Sequence, residues 1–148
     1  MYRLRKGQLE FLIGHPGGPF FKDKDENTWS IPKGELHDGE DTLKAAEREF
    51  EEETSIKPKE PYIPLGSIEQ TSGKIVHAWA FERDVDPTWM VSNEIEMEWP
   101  PHSGKTVKFP EIDQFEFLAK DKAMKKLRDT QHPFLERLEE NIRKALDA

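Results

Sequence analysis

The sequence contains no cysteine, which excludes disulfide bonds and thiol chemistry. It has no apolar run of about 18 residues, the length that a membrane-spanning helix needs, and its first residues lack the apolar core of a signal peptide. An excess of basic residues is also missing, since the formal net charge is −8. Broad binding to nucleic acid is therefore not expected, because it needs a basic surface. These absences predict a cytoplasmic protein with no membrane partner and no obvious nucleic-acid surface.

The remaining composition is that of one globular unit. The chain has 148 residues, of which 34% are hydrophobic and 35% charged. This length suits a single domain with one core, so we expect one domain over residues 1–148. Nothing in the composition determines the oligomeric state.

The most informative segment is an acidic turn, in which four of the five residues from Glu49 to Glu53 are carboxylates. Like charges three or four positions apart destabilise a helix, and Glu49, Glu52 and Glu53 project from one helical face. A divalent cation between them would remove that repulsion, and a ligand set of oxygen atoms favours Mg²⁺, with Mn²⁺ as a substitute. The alternative is a solvated helix face whose glutamates pair with nearby Arg and Lys residues.

The residues around this turn resemble the Nudix box, Gly-x5-Glu-x7-Arg-Glu-U-x-Glu-Glu-x-Gly-U, in which U is a bulky apolar residue. The one departure is Ser55, where the family has a glycine that ends the helix in a left-handed conformation. The departure removes no ligand. The matching positions are Gly34, Glu40, Arg48, Glu49, Phe50, Glu52, Glu53 and Ile56.

The resemblance implies an α/β fold, the Nudix α/β/α sandwich with a mixed β-sheet between helices. It also implies metal-dependent hydrolysis of a pyrophosphate bond. Arg48 would orient Glu49, and Glu40 would have a secondary metal or positioning role. The metal ligands that the resemblance implies are Glu49, Glu52, Glu53 and the backbone carbonyl of Lys33.

The general base is open between three glutamates. Some members of the family use the residue that matches Glu49, and others use a glutamate beyond the box. Glu111 is our prediction because it precedes an aromatic residue by six positions, as a distal glutamate does in several members. Glu98 is the competitor.

The residues before the box bear on the substrate. The run from Trp29 to Gly34 resembles a segment of dinucleoside polyphosphate hydrolases, diphosphoinositol polyphosphate hydrolases and decapping-type members. Lys33 would reach a polyphosphate chain as a mobile charge. Trp29 is the candidate for substrate binding by stacking on a base, a role for which Trp79, Trp99, Phe20 and Phe21 are further candidates. Most of these side chains are expected to lie in the core, and one or two are expected to line the pocket.

These patterns favour hydrolysis of a dinucleoside polyphosphate such as diadenosine tetraphosphate. One alternative is a pyrophosphohydrolase acting on nucleoside triphosphates or RNA 5′ ends. Another is a catalytically silent Nudix module that binds nucleotide as a sensor, although such modules usually lose a glutamate of the box, and here all are present.

Periodicity and turn signals predict the order of helices and strands. A helix is expected over 41–54, a second over 120–128 and a third from Pro133 onward. The first strand, near Tyr2, is expected to be short. The other expected strands cover 8–13, 29–31, 63–70, 74–83, 95–99, 106–109 and 115–118.

Overall fold

The computed structural model describes residues 1–33 and 39–147. Every helix in these two ranges is too short or too polar to span a membrane. The strands of this part of the chain are β1 (Tyr2–Arg5), β2 (Gln8–Pro16), β3 (Ile63–Glu69), β4 (Ile75–Ala80), β5 (Glu94–Glu98), β6 (Thr106–Pro110) and β7 (Ile112–Ala119). Its α-helices are α1 (Thr42–Thr54), α2 (Lys120–Lys126) and α3 (His132–Asp147).

The central strand is β2, which pairs antiparallel with β1 on one side and β7 on the other. Successive side chains of a strand point to opposite faces. Phe11 and Ile13 therefore enter one core cluster and Leu12 enters another. All three are at most 3% exposed, so both faces of β2 are covered.

Helices supply the two covering layers. Phe134, Leu135 and Leu138 of α3 belong to the same cluster as Phe11 and Ile13. Phe50 of α1 belongs to the cluster of Leu12, on the other face. The α/β/α sandwich that the sequence predicts is confirmed.

The sheet is mixed, as predicted, because one parallel contact joins its two antiparallel parts. β3 and β4 form an antiparallel hairpin. Just beyond β4, the Tyr2 amide donates to the Phe81 carbonyl at 3.0 Å, and the Arg83 amide donates to the Tyr2 carbonyl at 2.9 Å. These bonds connect the hairpin to β1. The expected strand over 29–31 is reduced to isolated bridges from Trp29 and Ser30.

Both ends of α1 are set by local backbone chemistry. Asp41 is the N-cap, and its side chain accepts a hydrogen bond from the Lys44 amide at 3.3 Å, which satisfies one of the free amides of the first turn. At the other end Ser55 has a φ of 62°, in the left-handed region, and its amide donates to the Glu51 carbonyl at 2.8 Å. Serine thus adopts the conformation that glycine would adopt more easily.

β5 and β6 form a separate antiparallel pair, and every residue of β5 is exposed. Ile95 and Met97 are each 40% exposed, so this hairpin contributes little to the core. At its base the Glu111 amide donates to the Asn93 carbonyl at 2.9 Å. The base of this hairpin therefore lies where β7 begins.

Candidate active site

Arg48, in the middle of α1, binds three carboxylates. Its Nε and Nη2 atoms donate to the two carboxylate oxygens of Glu40 at 2.9 and 3.0 Å. Its Nη1 atom donates to Glu49 at 2.9 Å and contacts both oxygens of Glu52 at 3.2 and 3.3 Å. A planar guanidinium with five donors suits such shared pairing. The predicted contact with Glu49 is present, and Glu40 and Glu52 share the same cation.

Glu53 is the buried carboxylate of α1, at 3% exposure. One of its oxygens accepts a hydrogen bond from the Lys33 amide at 2.7 Å. Burial and the nearby charges of Glu111 and Glu49 raise the pKa of Glu53 to about 8, although the Lys33 amide acts in the opposite direction. Ionising a buried carboxyl beside other carboxylates is unfavourable unless a cation compensates the charge.

The backbone of Glu111 is fixed on both sides. Its amide bonds to the Asn93 carbonyl at 2.9 Å, and its carbonyl accepts from the Gly17 amide at 2.8 Å. Glycine is required at this point, because an added Cβ on Gly17 would lie 1.9 Å from the Pro110 carbonyl oxygen. The turn that contains Gly17 therefore positions Glu111, and no motif in the sequence indicates that role.

The segment before β5 connects Glu111 to the end of α1. The Asn93 amide donates to the Glu52 carbonyl at 3.0 Å, and the Val91 amide donates to the Thr54 carbonyl at 3.2 Å. The last carbonyls of a helix have no partner within the helix, so these bonds satisfy them. Asn93 is thus bonded to both the helix and Glu111. Sequence reasoning missed Asn93 because the two bonds use only its backbone.

A group of cations lies beside the acidic residues. Burial lowers the pKa of Lys33, and the nearby charges of Arg128 and Lys74 lower it further, while Glu53 and Glu111 raise it. We call Lys33, Lys74 and Arg128 the cation group. Its position beside Glu53 and Glu111 allows one site to bind a metal ion and an anionic substrate together.

A cavity of about 370 Å³ lies beside these groups, and we call it the apolar cavity. Lys33, Lys74 and Glu111 contribute to its lining, and most of the other lining side chains are apolar residues of β2, β4, α1 and α3. The volume is within the range of small-molecule sites. Trp79 also lines it, and its ring stacks on His77 with a centroid distance of 6.5 Å.

A family model described as the NUDIX domain matches residues 4–138, nearly the whole chain. The chain belongs to the Nudix family. Nudix enzymes generally use divalent metal cations. The family match and the sandwich of helices around a mixed sheet agree with what the Nudix box predicts.

The sequence alignments with individual proteins cover only part of the chain, whereas the structural alignment covers nearly all of it. The chain is 42% identical over 53 residues to Nudix hydrolase 7 of Arabidopsis thaliana, covering 36% of this chain and 18% of that protein. It is 57% identical over 35 residues to an RNA pyrophosphohydrolase of Pelagibacter ubique, covering 24% of this chain and 22% of that protein. A crystal structure of a C. elegans Ap4A hydrolase binary complex aligns with a TM-score of 0.65 and 21% identity, covering 97% and 94% of the two chains. The alignments with these two curated relatives span under a quarter of each relative's length, and the structural likeness shows the fold.

The described part of the Nudix box is assembled around Arg48, while Gly34 lies outside the described residues. Within residues 1–33 and 39–147, no three acidic, histidine or cysteine side chains form a group able to hold a metal ion. Glu49 and Glu52 both contact the guanidinium of Arg48.

The donor set still fits a hard divalent cation. Carboxylate oxygens and a backbone carbonyl are the ligands that such ions take. Burial disfavours the ionised form of Glu53, and a cation beside it would stabilise that form. The predicted ligand set stays a prediction, and its members are Glu49, Glu52, Glu53, the carbonyl of Lys33, and Glu40 in a secondary role.

Trp29 corrects one expectation from the sequence. Its side chain is only 2% exposed, and its indole nitrogen donates to Asp25 at 2.9 Å. The ring packs edge-on against His15 at 5.3 Å, and the Lys126 ammonium lies 4.7 Å from the ring centre. Trp29 is therefore a core residue with no free face for a base. The sequence could not distinguish these outcomes, because tryptophan suits both a core and a stacking site.

The two distal glutamates differ in surroundings. Glu98 accepts a hydrogen bond from the His102 amide at 2.7 Å, so it closes the turn of the exposed β5–β6 hairpin. Glu111 lies near Glu53 and lines the apolar cavity. Of the two, only Glu111 is placed with the acidic residues of α1.

Proposed function

We propose that this Nudix protein is a pyrophosphohydrolase that hydrolyses a dinucleoside polyphosphate such as diadenosine tetraphosphate, with Mg²⁺ as its metal. The observation that carries the proposal is the position of Glu53. This buried carboxylate, with Glu111 nearby, lies beside the cation group of Lys33, Lys74 and Arg128. Such a site can hold a metal ion and the phosphates of a substrate side by side.

Glu49, Glu52, Glu53 and the Lys33 carbonyl would hold the Mg²⁺ ion. When bound, such an ion neutralises phosphate oxygens and lowers the pKa of an attacking water. The backbone amide of Lys33 orients Glu53 through its 2.7 Å hydrogen bond. Arg48 orients Glu49 and Glu52 and is itself fixed by the two bonds from Glu40.

Glu111 is proposed as the general base that takes the proton from the attacking water. Glu111 lines the apolar cavity, and its backbone is held by hydrogen bonds of its amide and its carbonyl, which fix its position. Glu49 is bonded to Arg48 at 2.9 Å, which suits a fixed ligand more than a base.

Two features of the site support the proposed substrate: the apolar cavity and the cations beside it. The cavity, with Trp79 in its lining, offers an apolar surface for a nucleoside. The Lys33 ammonium can compensate phosphate charge next to that surface. A nucleoside joined to a polyphosphate chain has both features.

A second candidate is hydrolysis of the 5′ end of RNA. It is favoured by the similarity to the Pelagibacter ubique protein, which is named an RNA pyrophosphohydrolase. The net charge of −8 does not favour binding of the rest of an RNA chain.

The test is a product-resolved assay against dinucleoside polyphosphates, nucleoside triphosphates and RNA with a 5′ triphosphate, with and without Mg²⁺. We expect Mg²⁺-dependent cleavage of diadenosine tetraphosphate that is lost in Glu52→Gln. Preferred cleavage of RNA 5′ ends would favour the second candidate. Metal-dependent nucleotide binding without any turnover would contradict both and indicate a sensor.

A further inference from the structure

A second cavity, of about 520 Å³, lies on another part of the surface, and we call it the polar groove. Three segments form it: the loop after β2, the β3–β4 turn and the residues between α2 and α3. Phe21, Lys24, Ser72 and Arg128 are among its lining residues. The volume is sufficient for a nucleoside, since small-molecule sites start at about 300 Å³.

The two cations of the polar groove, Arg128 and Lys24, have hydrogen-bond donors that can bind a ligand. Arg128 is half-buried, and its Nε atom is 3.4 Å from the Thr28 carbonyl, at the long limit of a hydrogen bond. The Lys24 ammonium lies 3.5 Å above the Phe20 ring. Within residues 1–33 and 39–147, neither cation forms an ion pair. The groove lining also contains Asp129, whose side chain is 78% exposed and lies 3.8 Å from His132. With two cations and one carboxylate the groove keeps a net positive charge, which favours an anionic ligand in a chain with a net charge of −8.

The polar groove adjoins the proposed hydrolytic site at the cation group. Arg128 belongs to the groove lining, and its amide donates to the Trp29 carbonyl at 2.9 Å, in the segment that leads to Lys33, whose amide bonds to Glu53. The β3–β4 turn borders both cavities, because Ser72 lines the groove and Lys74 lines the apolar cavity. A polyphosphate chain crossing the cation group would therefore have one cavity at each end.

We propose that the polar groove binds the second nucleoside of a dinucleoside polyphosphate, with Arg128 bound to the phosphates that lead into it. This inference rests on the proposed function and identifies Arg128 as a further phosphate-binding residue. Phe21 provides the apolar wall for the nucleoside, and Lys24 provides a second positive charge. The apolar cavity takes the first nucleoside.

Steady-state kinetics on two substrates tests the inference. Diadenosine tetraphosphate carries a second nucleoside, and adenosine 5′-tetraphosphate has the same phosphates without it. Ser72→Trp, a change at an exposed turn residue, should fill the groove and raise KM for the dinucleoside about tenfold while KM for the mononucleoside stays within about twofold. Arg128→Gln should raise KM for both substrates about tenfold with kcat retained, and Arg128→Lys should recover part of the loss.

Two controls separate a binding role from a structural one. Arg143→Gln removes an exposed cation of α3 that pairs with Glu139 and Glu140, and it should leave both KM values unchanged. Thermal unfolding of Arg128→Gln shows whether loss of the bond to Thr28 changes the fold. A change in kcat and melting temperature without a change in KM would contradict the binding role.

The outcomes distinguish this inference from the proposed function. If the unmodified protein hydrolyses diadenosine tetraphosphate, and Ser72→Trp and Arg128→Gln both leave its KM within about twofold, the groove is not a subsite and only this inference fails. If the unmodified protein cleaves adenosine 5′-tetraphosphate but no dinucleoside, the second nucleoside has no role and the dinucleoside assignment fails as well.

Discussion

Glu52 and Glu53 are neighbours on α1, but their carboxylates lie in opposite surroundings. The Glu52 side chain is 45% exposed and contacts Arg48 at 3.2 Å, in a guanidinium that also binds Glu40 and Glu49. Glu53 is 3% exposed and accepts a hydrogen bond from the Lys33 amide at 2.7 Å. Within the described residues, no ion pair involves Glu53.

The difference shows that neighbouring carboxylates of one acidic run are stabilised in two ways. The carboxylates around Arg48 have a cation supplied by the chain, and this cation holds Glu49 and Glu52 in the positions proposed for metal ligands. Burial and the nearby charges of Glu111 and Glu49 make the ionisation of Glu53 unfavourable, yet the fold keeps this carboxyl group buried. A group held at such a cost is typical of a functional site.

The largest effect is expected from Glu53→Gln, which keeps an oxygen for the Lys33 amide and removes the charge. We expect a loss of Mg²⁺-dependent hydrolysis on the order of 10³-fold. Without metal, the variant should be more stable than the unmodified protein at pH 7 by about 3 kcal/mol, because the charge of Glu53 is penalised from pH 4.5 upward. Assays of kcat with Mg²⁺ and thermal unfolding without it measure the two effects.

The stability gain of Glu53→Gln should increase as the pH rises. The pKa of Glu53 rises from 4.5 to about 8 on folding, so the penalty for its charge starts above pH 4.5 and increases up to about pH 8. The unmodified protein and Glu53→Gln should therefore be equally stable near pH 4. Glu51→Gln, at an exposed position of the same helix, is the matched control and should change neither kcat nor this pH profile.

Gly17→Ala tests the other side of the comparison, the placement of Glu111 near Glu53. The added Cβ would lie 1.9 Å from the Pro110 carbonyl oxygen, so the backbone around Glu111 must move. We expect a loss of about 2 kcal/mol of stability and a fall in kcat of about tenfold. Gly7→Ala is the control: its φ is 77° with no atom near the new Cβ, so it should cost about 1 kcal/mol and leave kcat unchanged.

Arg48→Gln removes the cation from the other carboxylates. Glu40, Glu49 and Glu52 would then repel each other, and partial exposure limits the cost to about 1–2 kcal/mol. Arg48→Lys should recover only part of it, because an ammonium cannot match the bidentate contact with Glu40. Chemical denaturation at low and high salt measures the cost, which should shrink at high salt. Equal stability of all three proteins would contradict the role given to Arg48.

Ser55→Gly should give the smallest effect. Glycine relieves the left-handed conformation at φ 62° but loses the hydroxyl bond to the Val91 carbonyl. Ser55→Ala keeps the strain and loses the same bond. We expect the glycine variant to be more stable than the alanine variant by about 1 kcal/mol, measured by thermal unfolding. Equal stability would mean that the helix end carries no strain.

The sequence was most informative where local chemistry decides the structure. The end of α1 at Thr54 and the contact between Arg48 and Glu49 follow from motif spacing, and both are present. Most of the candidate aromatic residues were expected in the core, but the sequence could not single out Trp29 as one of them, because long-range packing decides its burial. The backbone bonds of Gly17 and Asn93 that hold Glu111 depend on chain path and have no signal in residue type.

The most direct test is the binding of Mn²⁺, followed by electron paramagnetic resonance, to the unmodified protein, Glu53→Gln and Glu51→Gln. If the buried carboxylate is the centre of the metal site, Glu53→Gln should weaken Mn²⁺ binding by at least about tenfold, and Glu51→Gln should leave it unchanged. Binding of equal affinity in all three proteins would contradict a metal site at Glu53.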